Sequence, residues 1–409
     1  MDGPERLYYS NPRLFRAEAT VLAVEGDAGG PTLVLDRAVL FPGGGGQPPD
    51  VGEVDGVGVA GASEAGGRAA LRLSAPSAAR PGDRVLVAVD AARRIDYAQQ
   101  HSAEHLVAAT ALRLLGARAV SVHFGPDRSL VDFDASAIGD EELAAVEDEV
   151  DRLVAADLSI RTHLCPPEDA SSFPLRRAAP EGEEEVRVVE IEGVDFTPCC
   201  GLHLRSTGEL RAVRLLGSEK YKGMTRVHFL AGGRAAADYR AVSRIARESA
   251  RILGTSAAAL SAAVARESGR RAEAERALGD LVRKLAAEEA ASALEASLAA
   301  RKAAGAADDG RPLVAVKRYA DRGADSLLET AKAFAAAGMT AVLSSLPDLT
   351  AQAVAPEGGP RLGERLKAGL AASGGKGGGG PSSFRAVFAD PRSLEAFMDA
   401  AAAELARET

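Results

Sequence analysis

The sequence predicts an α+β chain of several parts: an N-terminal β-barrel-like domain, an α+β domain, a long helical segment and a small C-terminal α/β domain. Three observations lead there. Short β-rich runs broken by Gly and Pro fill the first ninety residues, an Ala-, Arg- and Glu-rich stretch without proline follows the middle, and strand-like and helix-like runs alternate near the end. At 409 residues the length suits about three domains of ~150 residues. The core must be aliphatic. Hydrophobic residues make up 46% of the chain, yet only 4% are aromatic and none is Trp. Wholesale disorder is excluded by that composition.

Residues 1–90 carry the runs AEATVLAVE, PTLVLDRAVLF and RVLVAVD, which suggest a small antiparallel barrel or sandwich. A helix follows, with Asp96 as a possible cap, apolar residues recurring through Leu106, Ala109, Leu112 and Leu115, and Gly116 as the stop. Within 91–233, further strands (SVHFG, SLVDFD, VRVVEIE, ELRAVRLL, TRVHFLAG) flank an acidic amphipathic helix, EELAAVEDEVDRLVAADL. Across 234–304 leucines recur at three- and four-residue steps (Leu278, Leu281, Leu285; Leu294, Leu298), as in a long helix or helical hairpin whose stripe needs a partner. Residues 305–409 form a small α/β unit containing SGGKGGGGPSS, read either as a linker or as a loop whose amides approach an anion.

Charge is unevenly spread. The net charge is -9, but residues 205–251 hold eleven Lys and Arg against four acids, whereas residues 134–195 hold eighteen acids against five Arg. The basic stretch is a candidate for meeting phosphates; a solvated mixed surface is the plainer reading. Three cysteines, two of them adjacent, exclude a disulfide framework and suggest a reducing, cytoplasmic setting. No run approaches a membrane span, and the start lacks a secretion signal.

The chemistry concentrates in few residues. Two of the six histidines, His101 and His105, stand four apart on the predicted helix, so their rings project from one face. Far downstream, DFTPCCGLHL supplies Cys199 and His203 in a Pro- and Gly-bounded turn. Three imidazoles and one thiolate suit Zn²⁺. The plainer alternative has core histidines and small buried cysteines. HSAEH also fits the HxxEH pattern of zinc peptidases with Glu104 as base, although those enzymes take a carboxylate as a further ligand. GGGGQ at 43–47 lacks the GK[ST] of a nucleotide loop.

These segments resemble the editing domain of alanyl-tRNA synthetase and its free-standing relatives, the AlaX family. RRIDYAQQHSAEHL resembles the family's RRxxxxxHTxxHL helix, DFTPCCGLHLRSTGEL its DxxxCGGTHVxxTGEI turn, and LDRAVLFPGGGGQPPDVG the segment before the helix. SEKYKGMTRVHFLAG is similar to the closing strand pair, and the last part resembles the Gly-rich C-terminal domain of the long AlaX class. No segment fits an aminoacylation core. The resemblance implies a zinc-dependent hydrolase that removes Ser or Gly from mischarged alanine tRNA in trans, with His101, His105, Cys199 and His203 on the metal. It also implies catalytic roles for Gln47 and Ser102, and substrate or tRNA contacts for Ala38, Asp195, Lys220, Lys222 and Arg226. Ala38 stands where the family usually has Thr, Cys200 and Leu202 replace Gly and Thr of the turn, and Gly380 stands where Arg is common. A noncatalytic tRNA-binding or oligomeric scaffold with a structural zinc is the alternative. A homodimer through the helical segment and C-terminal domain is expected.

Overall fold

A computed structural model describes residues 5–26, 30–65, 68–180, 182–183, 185–305 and 312–407. The chain divides into two compact units, Met1–Glu248 and Ser249–Thr409. In the first, six strands close into a barrel in the order Arg16–Glu25, Thr32–Leu35, Arg68–Leu73, Val57–Ala65, Gly52–Val54, Arg84–Val89. All its pairings are antiparallel, and register shifts at Val21/Ala23 and Val59/Gly61 bend two strands as closure requires. Alternation decides which side faces in: Val85, Val87 and Val89 are buried while Arg84 and Leu86 are exposed. Leu33, Leu35, Leu71 and Leu73 complete that interior. Each such burial is worth about 1.5–3 kcal/mol, so an aliphatic core suffices without Trp.

The helix after the barrel runs Ala91–Leu115. It starts before the expected cap. Asp90, still extended at the end of a strand, accepts the Arg93 N–H at 3.0 Å and caps the helix. Asp96 therefore lies inside the helix, where it binds Arg234 (Nε to Oδ1, 2.9 Å). Gly116 ends the helix at φ 70°, as expected. Rather than one inward face, every residue from Tyr97 to Ala111 is buried, because the helix is enclosed by the unit's other elements.

Around it lie a four-stranded antiparallel sheet (Val213–Tyr221, Met224–Ala231, Ser129–Phe133, Ala119–Phe124) and a three-stranded one (Ile160–Cys165, Val186–Ile191, Asp195–Pro198). The acidic helix Asp140–Ala155 packs through Leu143, Val146 and Val150. Barrel and central helix are joined by a buried ion pair. Arg94 Nε donates to Asp50 Oδ2 at 2.9 Å, its other nitrogens reach the carbonyls of Leu14 and Val39, and Asp50 also accepts the Phe41 N–H.

Two helices, Gly232–Ile252 and Leu260–Ala303, occupy the predicted helical segment. The break has a local cause: Gly254 at φ +61° turns the chain, and Thr255 N–H returns to Ala250 C=O at 2.9 Å. The second unit carries a five-stranded sheet, Leu313–Tyr319, Met339–Ser345, Thr350–Val354, Ser383–Val387, Lys376–Gly379. Its first pair is parallel, with helix Ala324–Ala336 between the two strands in sequence. The Gly-rich run is thus no linker along its whole length: Lys376–Gly379 is an edge strand. A Cβ on Gly377 would fall 2.1 Å from Arg385 O, which explains glycine there.

Replacing Arg94 by Met leaves Asp50 buried without its cation and is expected to cost about 3–5 kcal/mol in urea unfolding followed by circular dichroism. The Asp50→Asn, Arg94→Met double variant recovers part of this; a single variant as stable as wild type contradicts the assignment.

Candidate metal centre

His101 and His105 lie one turn apart on the central helix, and both rings are buried. Cys199 and His203 sit just past strand Asp195–Pro198, in a turn that leaves the three-stranded sheet. Four donor atoms, one from each residue, lie within 4.8 Å of one another.

Each imidazole is oriented from behind. His101 Nδ1 donates to Gln47 Oε1 at 3.0 Å, and the Leu202 N–H donates to the same oxygen at 2.9 Å. His203 Nδ1 lies 3.3 Å from Ser102 Oγ, which also accepts the Leu204 N–H. His105 Nδ1 faces Asp195 Oδ2 at 3.3 Å, an ion-pair distance but off line for a hydrogen bond. With the outer nitrogens so engaged, the Nε2 atoms turn inward. Those of His101 and His203 stand 3.2 and 3.4 Å from Cys199 Sγ. Neighbouring donors on a zinc tetrahedron with Zn–N of ~2.0 Å and Zn–S of ~2.3 Å are separated by roughly 3.3–3.5 Å. The donor set fits a zinc ion.

The electrostatics suit the same ion. Burial by itself would raise the Cys199 thiol, but the surrounding imidazoles hold it well below its usual value. Burial works against charge on His105, and Asp195 with the Cys199 sulfur overcomes it, lifting the imidazole to about 9. His203 is pushed well down by burial and by the two neighbouring histidines. Asp195 resists its burial through His105 and Arg176 and stays at about 2. A thiolate at Cys199 and a neutral imidazole at His203 are what a divalent cation requires of its ligands, and His105 would give up its proton on binding one.

The turn itself is clamped. Arg187, almost wholly buried, donates from Nη1 to the carbonyls of Cys199 and Gly201, both at 2.8 Å. Its guanidinium lies 4.5 Å from the Tyr9 ring, whose hydroxyl donates to Cys200 O at 2.7 Å. Above the turn passes the loop with Gly43–Gly46. At Gly201 a Cβ would fall 1.9 Å from His101 Cε1, so nothing larger than glycine fits between the turn and the helix.

The other predicted residues are placed as follows. Gln47 and Ser102, given catalytic roles by the resemblance, touch His101 and His203. Asp195 touches His105 and takes Arg176 (Nε to Oδ1, 2.9 Å) and Thr197. Ala38 is buried in the barrel's core cluster, which also includes Leu202. Lys220 and Lys222 are exposed at the hairpin end, with Lys222 Nζ 5.0 Å from the Tyr221 ring, and neither makes an ion pair among the described residues. Arg226 is bound by Asp132 (2.8 and 3.0 Å) and covers the Tyr221 ring at 3.5 Å, so its charge is already partnered. Sequence reading missed Arg176, Arg187 and Tyr9. An arginine buried against carbonyls (Arg187) or against a distant carboxylate (Arg176) carries no local signal; only the apolar strand around Arg187 (VRVV) hints at one.

The family described as the threonyl and alanyl tRNA synthetase second additional domain matches residues 186–228. Alanyl-tRNA editing protein AlaX-M of Methanosarcina mazei is 31% identical over 242 residues, 55% of this chain and 95% of the relative. The chain belongs to the AlaX family. Alanyl-tRNA editing protein Aarsd1 of Mus musculus is 36% identical over 205 residues, 49% of each chain. Alanine–tRNA ligase of Methanothrix thermoacetophila is 32% identical over 272 residues, 61% of this chain and 28% of the ligase. This AlaX chain spans about half the length of the Aarsd1 relatives it matches.

Gly201→Ala forces His101 away from Cys199. Zinc content by elemental analysis is expected to fall from about one equivalent to well under half; full occupancy in the variant contradicts the close approach.

Proposed function

We propose that this chain is a zinc-dependent hydrolase that deacylates alanine tRNA mischarged with Ser or Gly, acting in trans in the cytoplasm. The observation that carries the reading is the buried set of three inward-turned imidazoles around one sulfur, on a chain of a family whose members are named for alanyl-tRNA editing. His101, His105, Cys199 and His203 would hold the ion; Gln47, Asp195 and Ser102 fix the rings that bind it. A bound zinc supplies Lewis acidity toward the ester or its attacking water. Residues 91–233 form the editing domain in this reading. A second site of this kind answers a physical limit, because a pocket for Ala cannot strongly reject Gly or a small hydroxyl-bearing near-isostere. Ala38 offers no hydroxyl for serine, so Gly-charged tRNA is the better first substrate.

Partner contacts follow from exposure. Lys220 and Lys222 at the hairpin end meet tRNA phosphates, whereas Arg226 shapes the hairpin through Asp132 and Tyr221. Tyr239, Val242, Ile245 and Ile252 on one helix, and Leu278, Leu281, Leu285 and Leu298 on the next, are at least half exposed, which supports a homodimer through this segment. A lone species of monomer mass in sedimentation removes the dimer. No helix among the described residues is long and apolar enough to cross a membrane.

Incubation with Gly- and Ser-charged alanine tRNA is expected to release the amino acid. His105→Ala is expected to reduce the rate by at least about 10²-fold; equal ester loss with and without protein removes the reading. Lys220→Ala with Lys222→Ala is expected to lower the salt slope of tRNA binding by roughly 1–2; an unchanged slope takes the phosphate contacts elsewhere.

A further inference from the structure

Glu104 precedes His105 in the buried part of the central helix, and its side chain is only 8% exposed. Its Oε2 lies 3.8 Å from His105 Nε2, the nitrogen left for the ion once Nδ1 faces Asp195. Among the described residues it accepts no hydrogen bond, and the four-donor set is complete without it. Arg176, whose charge Glu104 helps to favour, is itself held by Asp195 through two nitrogens at 2.9 and 3.3 Å. A buried carboxylate with no hydrogen bond and only that long ion-pair contact to His105 is costly, and most helix positions enclosed like this one hold apolar or small residues. The residue is not wholly sealed in: 6% of it remains accessible. A cationic group of a ligand brought beside it would satisfy the carboxylate.

We infer that Glu104 is the substrate-binding residue that receives the α-ammonium of the aminoacyl ester, an assignment that rests on the deacylase reading above. Ser and Gly esters differ in their side chains but share the ester and the positive nitrogen beside it. An anion next to the metal centre that reads this shared cation accounts for a site serving both, and it places the ester carbonyl beside the four donors. It also excludes esters whose nitrogen is acylated, because an amide nitrogen carries no charge to offset the carboxylate.

The test compares Gly-charged alanine tRNA with the same tRNA carrying N-acetylglycine, using wild type, Glu104→Gln and Glu104→Asp, with zinc content measured in each. Wild type is expected to favour the free amine at least tenfold in kcat/KM. Glu104→Gln is expected to lose that preference by slowing on the free-amine ester alone, at unchanged zinc content, and Glu104→Asp to restore part of it. Titration with a nonhydrolysable 3′-glycylamino analogue of the terminal adenosine, and with its N-acetyl form, should show the same preference in binding. A preference that survives Glu104→Gln, or an equal loss on both esters, overturns the ammonium assignment while leaving the deacylase reading in place. Wild type inert on both esters overturns the deacylase reading and this assignment together.

Discussion

The structure of the site depends on one constraint: each imidazole must present Nε2 inward, and it does so because an oxygen from outside the donor set holds its Nδ1 side. The three oxygens come from different places. Gln47 belongs to the Gly-rich loop beside the barrel, Asp195 to the three-stranded sheet, and Ser102 to the central helix itself. A histidine free to flip would present the wrong nitrogen half the time, so fixing all three rings prepares the set before an ion arrives. Barrel, helix and sheet are thereby coupled through the site, and the buried Arg94–Asp50 pair ties barrel to helix a few residues before His101.

The turn bearing Cys199 and His203 is built on the same logic. Its carbonyls have no strand partner at Cys199, Cys200 and Gly201, and leaving the buried ones of Cys199 and Gly201 unpaired would be expensive. Arg187 takes two of them and Tyr9 the third. Stacking Tyr9 against the Arg187 guanidinium keeps both donors aimed. The departures from the family's turn are accommodated here: Cys200 is outward, Leu202 fills the barrel core cluster, and the glycine retained at 201 is the one whose Cβ the His101 ring would not permit.

Much of this was legible in the chain, for identifiable reasons. Alternating short strands foretold a barrel because side chains on a strand point to opposite faces; closure, however, depends on register shifts that composition does not encode. His101 and His105 were readable as a pair because helical geometry is local, and Gly116 was readable as a stop because φ > 0 is cheap for glycine. Asp96 misled because two aspartates six residues apart both suit a cap, and the strand ending at Val89 decided between them. That Arg226 is paired with Asp132, on the neighbouring strand of the sheet, was not readable, because the register that brings them together is long-range.

The sequence by itself determined the elements, the barrel-like start, the helical His pair, the CxxxH turn and the chemistry they suit, since all of these follow from spacings of a few residues. Only the tertiary structure decided that Cys199 Sγ meets His101 across 98 positions of chain, that Gln47, Ser102 and Asp195 face the imidazoles, and that Glu104 stands beside them with no hydrogen bond among the described residues. The physical reason is that backbone dihedral preferences are set locally, whereas the direction of a side chain within a packed interior is set by whatever the rest of the chain brings against it.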